Sequence, residues 1–277
     1  MKAMVRKLMG IKEKQMIGYH RYPMNLFRKL PGFIIIGSQK AATSTLHYYL
    51  SKNSNIQRPP IKEAQFFNMN YDRGIPYYKS IFPIHKVGKV TFETTPDYLS
   101  HPLAPRLCHQ LLPDIKLVVT LRNPVERAFS HFNFVKNYGG EAVDVSFEQG
   151  LELEQQRIDD ALDLMAKDRY NSARLLSRYG YRRNGEYASH LKTWLHYYPI
   201  DQFYFIDFED IKNDVNTVMR NLCDFLELPF EPIKSKTIKN KSVYKEVMND
   251  KLLVALKNHY ASHNENLYKL IGKKYQW

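Results

Sequence analysis

The chain has 277 residues, 44% hydrophobic and 13% aromatic, and a formal charge of +13. So much apolar surface excludes general disorder and suits one large α/β domain or two small ones. The apolar runs stop at strand length, short of the ~20 residues of a membrane span, and no signal-peptide core precedes them.

The basic excess sits at the two ends. Residues 1–30 carry eight Lys/Arg against Glu13, and residues 233–277 carry ten Lys against three acids, while the middle is close to neutral. Residues 1–30 therefore read as a basic N-terminal extension, either a rim that attracts anions or a solvated terminus. Cys108 and Cys223 have neither metal-ligand spacing nor a disulfide framework, which points to a reducing, cytoplasmic setting.

The first strand is the β-branched run Phe33–Ile36. It breaks at Gly37 into Ser38, Gln39, Lys40, Ala41 and Ala42, and a helix over Thr43–Lys52 follows through Ser44 and Thr45. A strand, a tight turn and a helix N-terminus make an anion cradle: backbone N–H groups converge and the helix dipole favours negative charge. The alternative is an ordinary turn capped by Thr or Ser. The triphosphatase loop G-x-x-x-x-G-K-[ST], counted from Gly37, needs glycine at Ala42 and lysine at Thr43. The lysine arrives three residues early, so a different anion is expected.

Residues 53–62, with Pro59-Pro60, read as a loop returning to the top of the sheet. Lys62-Glu63 then precedes the aromatic pair Phe66-Phe67. Burial of those rings would hold Glu63 at the edge of a cleft, where desolvation makes a carboxylate a usable base; the plainer reading is a surface ion pair. Val87–Phe92 and Ile115–Leu121 are further strands. Arg122 closes the latter, and Asn123-Pro124 starts a helix that carries Ser130 two turns on. An arginine fork beside a hydroxyl makes a sound second phosphate site; the plainer reading is helix capping with a surface salt bridge. Residues 139–180 read as a helical insertion. Helices over 185–198, 215–226 and 251–271 and a strand over 203–208 complete the chain.

Strands alternating with helices imply an α/β fold with a central, mostly parallel sheet flanked by helices, with ligands at the strands' carboxyl ends. Two anion sites at neighbouring strand ends match a nucleoside bearing phosphates at both ends.

Gly37-Ser-Gln-Lys-Ala-Ala-Thr-Ser-Thr-Leu46, Lys62-Glu-Ala-Gln-Phe-Phe67, Leu121-Arg-Asn-Pro-Val-Glu-Arg-Ala-Phe-Ser-His131, Asn184-Gly-Glu-Tyr187 and Asn240-Lys-Ser242 … Trp277 together resemble sulfotransferases of the heparan-sulfate and carbohydrate type. These use 3′-phosphoadenosine 5′-phosphosulfate (PAPS) and leave adenosine 3′,5′-bisphosphate (PAP). The resemblance covers about residues 31–277 and implies a P-loop-like three-layer domain. It gives Ser38–Thr45 to the 5′-phosphosulfate, Arg122, Ser130 and the Lys241-Ser242-Val243 segment to the 3′-phosphate, and Glu63 to base catalysis with Lys40 on the leaving group. No metal is expected. The departures are Ala41-Ala42, where glycine is more usual, and Glu93-Thr94-Thr95-Pro96, which lacks a lysine of the heparan-sulfate enzymes. Those enzymes' late cysteine pair is also missing, which points to a bacterial-type relative.

The acceptor is expected to be a carbohydrate or small molecule with a hydroxyl or amine, not a nucleic acid. Two rivals stand beside this reading. A P-loop kinase would need a lysine at the helix start and an acidic Mg²⁺ ligand after a strand; neither is evident, though Glu93 and Asp97 lie near a strand end. A non-catalytic polyanion binder would rest on the basic ends.

Overall fold

The computed structural model describes residues 19–234 and 248–277. Five strands form one sheet: β1 (Phe33–Gly37), β2 (Ile56–Gln57), β3 (Val90–Thr94), β4 (Lys116–Leu121) and β5 (Phe203–Asp207). Their order is β2-β3-β1-β4-β5 and every pairing is parallel. From β1 the chain runs outward to β2 and β3 on one side, then crosses to β4 and β5 on the other. The switch point therefore falls at the carboxyl ends of β1 and β4, where open α/β sheets bind ligands.

The helices are α1 (Thr43–Leu50), α2 (Gly74–Ser80), α3 (Ala104–Leu111), α4 (Pro124–Asn137), α5 (Phe147–Glu152), α6 (Glu154–Leu164), α7 (Arg169–Tyr179), α8 (Tyr187–Leu195), α9 (Phe208–Asn213), α10 (Val215–Leu226) and α11 (Asp250–Ile271). All of β1 is buried because its alternate residues feed two cores. Phe33 and Ile35 join Leu46 and Leu50 of α1 and the apolar stripe Val215, Val218, Met219 and Leu222 of α10. Ile34 and Ile36 face the opposite layer with Leu107 of α3, Leu191 and Trp194 of α8, and the aromatics Phe66, Phe67, Tyr78 and Tyr98. These three layers are the expected architecture.

A smaller cluster joins Val125, Ala128 and Phe132 of α4 to Phe147, Leu151, Tyr181, Leu256 and Tyr260. It packs the 139–180 helices and α11 onto the helix that follows Arg122. His259 of α11 also bonds the Glu186 carboxylate, 3.0 Å away.

Several boundaries differ from the sequence reading. Val87 is 95% exposed and β3 starts three residues later, so its β-branched side chain belongs to a turn and not to the ladder. Phe208 opens α9 because Asp207 caps that helix, accepting from the Glu209 N–H. Inside the loop over 53–62 lies the two-residue edge strand β2, and α2 and α3 had no counterpart in the sequence reading. Tyr77, Tyr78, Tyr98 and Tyr181 are core residues.

Candidate active site

Gly37 ends β1 where there is no room for a side chain. A Cβ there would stand 2.5 Å from the Leu99 Cβ and 3.0 Å from the Pro96 carbonyl oxygen. The Ser38 N–H donates to the Thr120 carbonyl at 2.6 Å, and the Thr120 hydroxyl to the Gly37 carbonyl at 2.9 Å. The loop is thus pinned to β4 before it turns.

The turn itself is left-handed at two non-glycine residues, Lys40 (φ 69°) and Ala42 (φ 63°). That conformation explains why glycine would be at home at position 42. Ala42 is also the N-cap of α1, and no side chain caps this helix. The N-cap position thus carries no hydroxyl, and the start of α1 faces the loop.

Lys40 Nζ lies over the Phe134 ring of α4, 4.2 Å from its centroid. Burial pushes the ammonium pKa down to about 8, and the charges of Arg122 and Lys62 push the same way. Arg122, just past β4, donates to the Lys40 carbonyl at 3.4 Å and pairs with Glu126 at 2.9 Å. Its guanidinium covers the Phe208 ring at 4.5 Å. Ser130 is buried on α4, one turn before Phe134, and its hydroxyl has no hydrogen-bond partner within the described protein. Ser130 and Phe134 share a helix face by their i, i+4 spacing, so the hydroxyl and the Lys40 contact lie on one side of α4. The buried Gln39 Oε1 is likewise without a partner.

The structure therefore brings Ser38–Thr45, Arg122 and the Ser130 helix face together. Two cations, a helix start and the orphaned Ser130 hydroxyl, which can donate, make a setting that suits an anion. Lys241, Ser242 and Val243 lie outside the described residues.

Glu63 also reaches this region, though not by the enclosure expected of it. Its N–H donates to the Thr94 carbonyl at the end of β3 (2.9 Å), and its backbone is left-handed at φ 64°. The side chain is 36% exposed and pairs with Lys62 at 2.6 Å. Lys62 in turn depresses Lys40, so Lys40, Lys62 and Glu63 form one electrostatic cluster at the strand ends. Asp97 stands behind it, accepting from Gln65 Nε2 at 2.9 Å. Burial first, and the Glu63 charge second, push its pKa up to about 6.

Glu93 does not have the free oxygens that a kinase-type Mg²⁺ ligand needs. Its carboxylate accepts from the hydroxyls of Tyr98 (2.6 Å), Thr95 (2.8 Å) and Tyr78. Burial raises its pKa against those three bonds. It is the hub that ties β3 to the aromatic core. His131 is fully buried and held neutral by burial, while His47 Nδ1 lies 3.0 Å from the Thr94 hydroxyl. Both rings are buried.

Two further residues were not singled out by the sequence reading. Tyr187, at the start of α8, donates its hydroxyl to the Arg122 carbonyl at 2.8 Å and lies 3.5 Å from Ser38 Oγ. Arg127 is completely buried, bonded to the Tyr181 carbonyl, with Nε and Nη1 unpartnered within the described protein. The signal for Arg127 was present in the Arg122–His131 motif. The signal for Tyr187 was Asn184-Gly185-Glu186-Tyr187, whose partner no local pattern names.

The chain resembles known proteins over most of its length. A bifunctional heparan sulfate N-deacetylase/N-sulfotransferase of Drosophila melanogaster is 30% identical over 288 residues, covering 88% of this chain and 26% of its own length. The mouse heparan sulfate glucosamine 3-O-sulfotransferase 6 is 32% identical over 204 residues, 73% of this chain and 53% of its own. The chain thus spans between a quarter and a half of these relatives. A crystal structure of a sulfotransferase from Alicyclobacillus acidocaldarius superposes with a TM-score of 0.75 at 27% identity, over 89% of this chain and 98% of that one. The sulfotransferase domain profile matches residues 30–276, and the chain belongs to the sulfotransferase domain family.

Proposed function

We propose that the protein transfers a sulfuryl group from PAPS to a hydroxyl or amine of a carbohydrate or small-molecule acceptor. The observation that carries this reading is the convergence of Lys40 and Arg122 on one strand-end loop, with the orphaned Ser130 hydroxyl on the adjoining helix. Ser38–Thr45 would hold the 5′-phosphosulfate end of the donor, and Arg122 and Ser130 the 3′-phosphate. Lys241, Ser242 and Val243 are proposed for the 3′ side on sequence grounds.

The donor supplies an activated sulfuryl group when bound. Glu63 takes the proton from the acceptor O–H or N–H as that atom bonds to sulfur. The bond from sulfur to the 5′-phosphate oxygen breaks, and Lys40 and the start of α1 face the charge left there. Lys62, paired with Glu63, holds the carboxylate in position. All of this charge compensation comes from side chains and backbone N–H groups already in place.

A transfer assay with labelled PAPS across a panel of sugars, phenols, alcohols and amines tests the proposal, with Lys40→Ala as control. Label moving to at least one acceptor in the wild type and not in the variant supports it. PAP failing to bind the wild-type protein would sink it.

A further inference from the structure

The basic N-terminal segment has a structural role that the donor site does not use. Residues Tyr19–Phe27 form a 3₁₀ helix, and Arg28 bridges to Ile84 in antiparallel fashion. Together they wall a trough of about 910 Å³ beside the edge strand β2. Its lining includes His20, Arg21, Arg28, Arg58, Lys86 and Lys89, with no Asp or Glu among the described lining residues. The order β2-β3-β1-β4-β5 puts a full strand between β2 and the cradle on β1, so this is a separate place on the molecule.

The two arginines are the centre of it. Arg21 Nη2 donates to the Phe82 carbonyl at 3.1 Å, and Arg28 Nη1 donates to the same oxygen. Arg28 is 7% exposed, and the Nε of each arginine is buried without a partner in the described protein. One carbonyl dipole thus meets two full positive charges, and their mutual repulsion shows in Arg28, whose pKa is lowered by burial and then by Arg21. Repulsion of this kind is relieved by an anion that takes both guanidinium forks. The walls are already rigid. Gln57 of β2 donates to the Ile84 carbonyl at 2.9 Å and accepts from the Lys86 N–H at 2.8 Å, and the His85 N–H donates to the Phe27 carbonyl at 2.7 Å. The chain's other segments make poor occupants, since residues 1–18 carry five Lys/Arg to one Glu.

We infer that this trough is a second anion site, in which Arg21 and Arg28 hold a tetrahedral oxyanion, sulfate or phosphate, and Arg58, Lys86 and Lys89 face the rest of its bearer. The oxyanion is either a free ion or an ester on a small sugar, and the test separates the two. Calorimetry at fixed ionic strength measures inorganic sulfate, inorganic phosphate and glucose 6-sulfate against the wild type, with a short oligothymidylate as comparator. PAP is titrated separately.

Arg28→Gln should weaken oxyanion binding on the order of tenfold or more, as loss of a charge-assisted bond does. Because Arg28 is buried, the exposed-side variant Lys86→Glu/Lys89→Glu is measured too. It should weaken glucose 6-sulfate by a similar factor and leave PAP affinity unchanged. Tighter binding of the ester than of the ions assigns the sugar-borne group, and equal binding assigns the free ion. Absence of oxyanion binding, unchanged binding in both variants, or tighter binding of the oligonucleotide overturns the inference. If PAP fails while the trough still binds, the donor reading alone falls.

Discussion

Lys40 Nζ sits 4.2 Å from the centre of the Phe134 ring, so the loop's ammonium rests on the helix that carries Ser130 rather than extending into water. The ring orients the cation while burial and two neighbouring charges make that cation costly to keep. The site is therefore poised for an anion, and the cost is released when one arrives.

This gives a pH dependence with a definite sign. With its pKa pushed down to about 8, Lys40 is cationic below that pH and loses its proton above it. PAP affinity should be greatest below pH 8 and fall as pH rises through it, while Lys40→Arg, which stays charged, should lose the inflection. In the absence of nucleotide the sign is opposite for stability. Between about pH 8 and the ordinary lysine value the unfolded chain binds more protons, so Lys40 costs stability at neutral pH, and that cost shrinks as pH rises through the window. Titration calorimetry and thermal melts across pH 6.5–10 check both statements.

Arg122 and Ser130 should separate by magnitude. Arg122→Ala removes a charged fork and is expected to weaken PAP by about 10–100-fold, whereas Ser130→Ala removes a neutral bond and should cost about threefold to tenfold. Equal losses would mean that the two do not share one phosphate.

Glu63→Gln should retain PAP binding and lose turnover by about 10²–10⁴-fold, the range for a positioned general base. Because Lys62 pairs with Glu63 at 2.6 Å, Lys62→Ala should also lower kcat by releasing the carboxylate from that position. Near-normal turnover in Glu63→Gln would move the base elsewhere, and Asp97 is the next carboxylate to examine.

Asp97 offers a test on stability. Its pKa is pushed up to about 6 in the folded chain, so the folded state binds more protons between pH 4 and 6 and pays for ionising Asp97 above that range. Asp97→Asn should melt on the order of 2–4 °C higher at pH 7.5, with the gap closing toward pH 4. A gap that widens on acidification would contradict the sign.

Gly37→Ala places a methyl 2.5 Å from Leu99. An overpacking cost of about 1–3 kcal/mol is expected in chemical denaturation, together with weaker PAP binding because the loop moves with β1.

The sequence made the cradle legible because its logic is local. A β-branched strand, small residues and a helix start occupy fifteen consecutive positions, and Asn123-Pro124 marks the second strand's end equally well: the Asn123 side chain does accept from the Val125 and Glu126 N–H groups. Val215–Leu226 was readable to the residue because its apolar stripe is regular. What stayed hidden depended on distant partners. β2 is two residues beside a diproline and exists through its ladder with β3. The enclosure of Glu93 was not readable because its tyrosine partners come from five and fifteen residues away. Glu63 is placed by a backbone bond to β3, which no spacing rule describes.

Tyr187 shows what such long-range placement entails. Its hydroxyl holds the Arg122 carbonyl, and its ring meets that of Trp277 edge-on, 6.1 Å between centroids. The strand-end loop is therefore not a cassette that can be cut out and moved. On the ribosome, residues 33–130 would emerge with that region unfinished, to be completed when Tyr187, made later, closes the back wall and Trp277 settles against it.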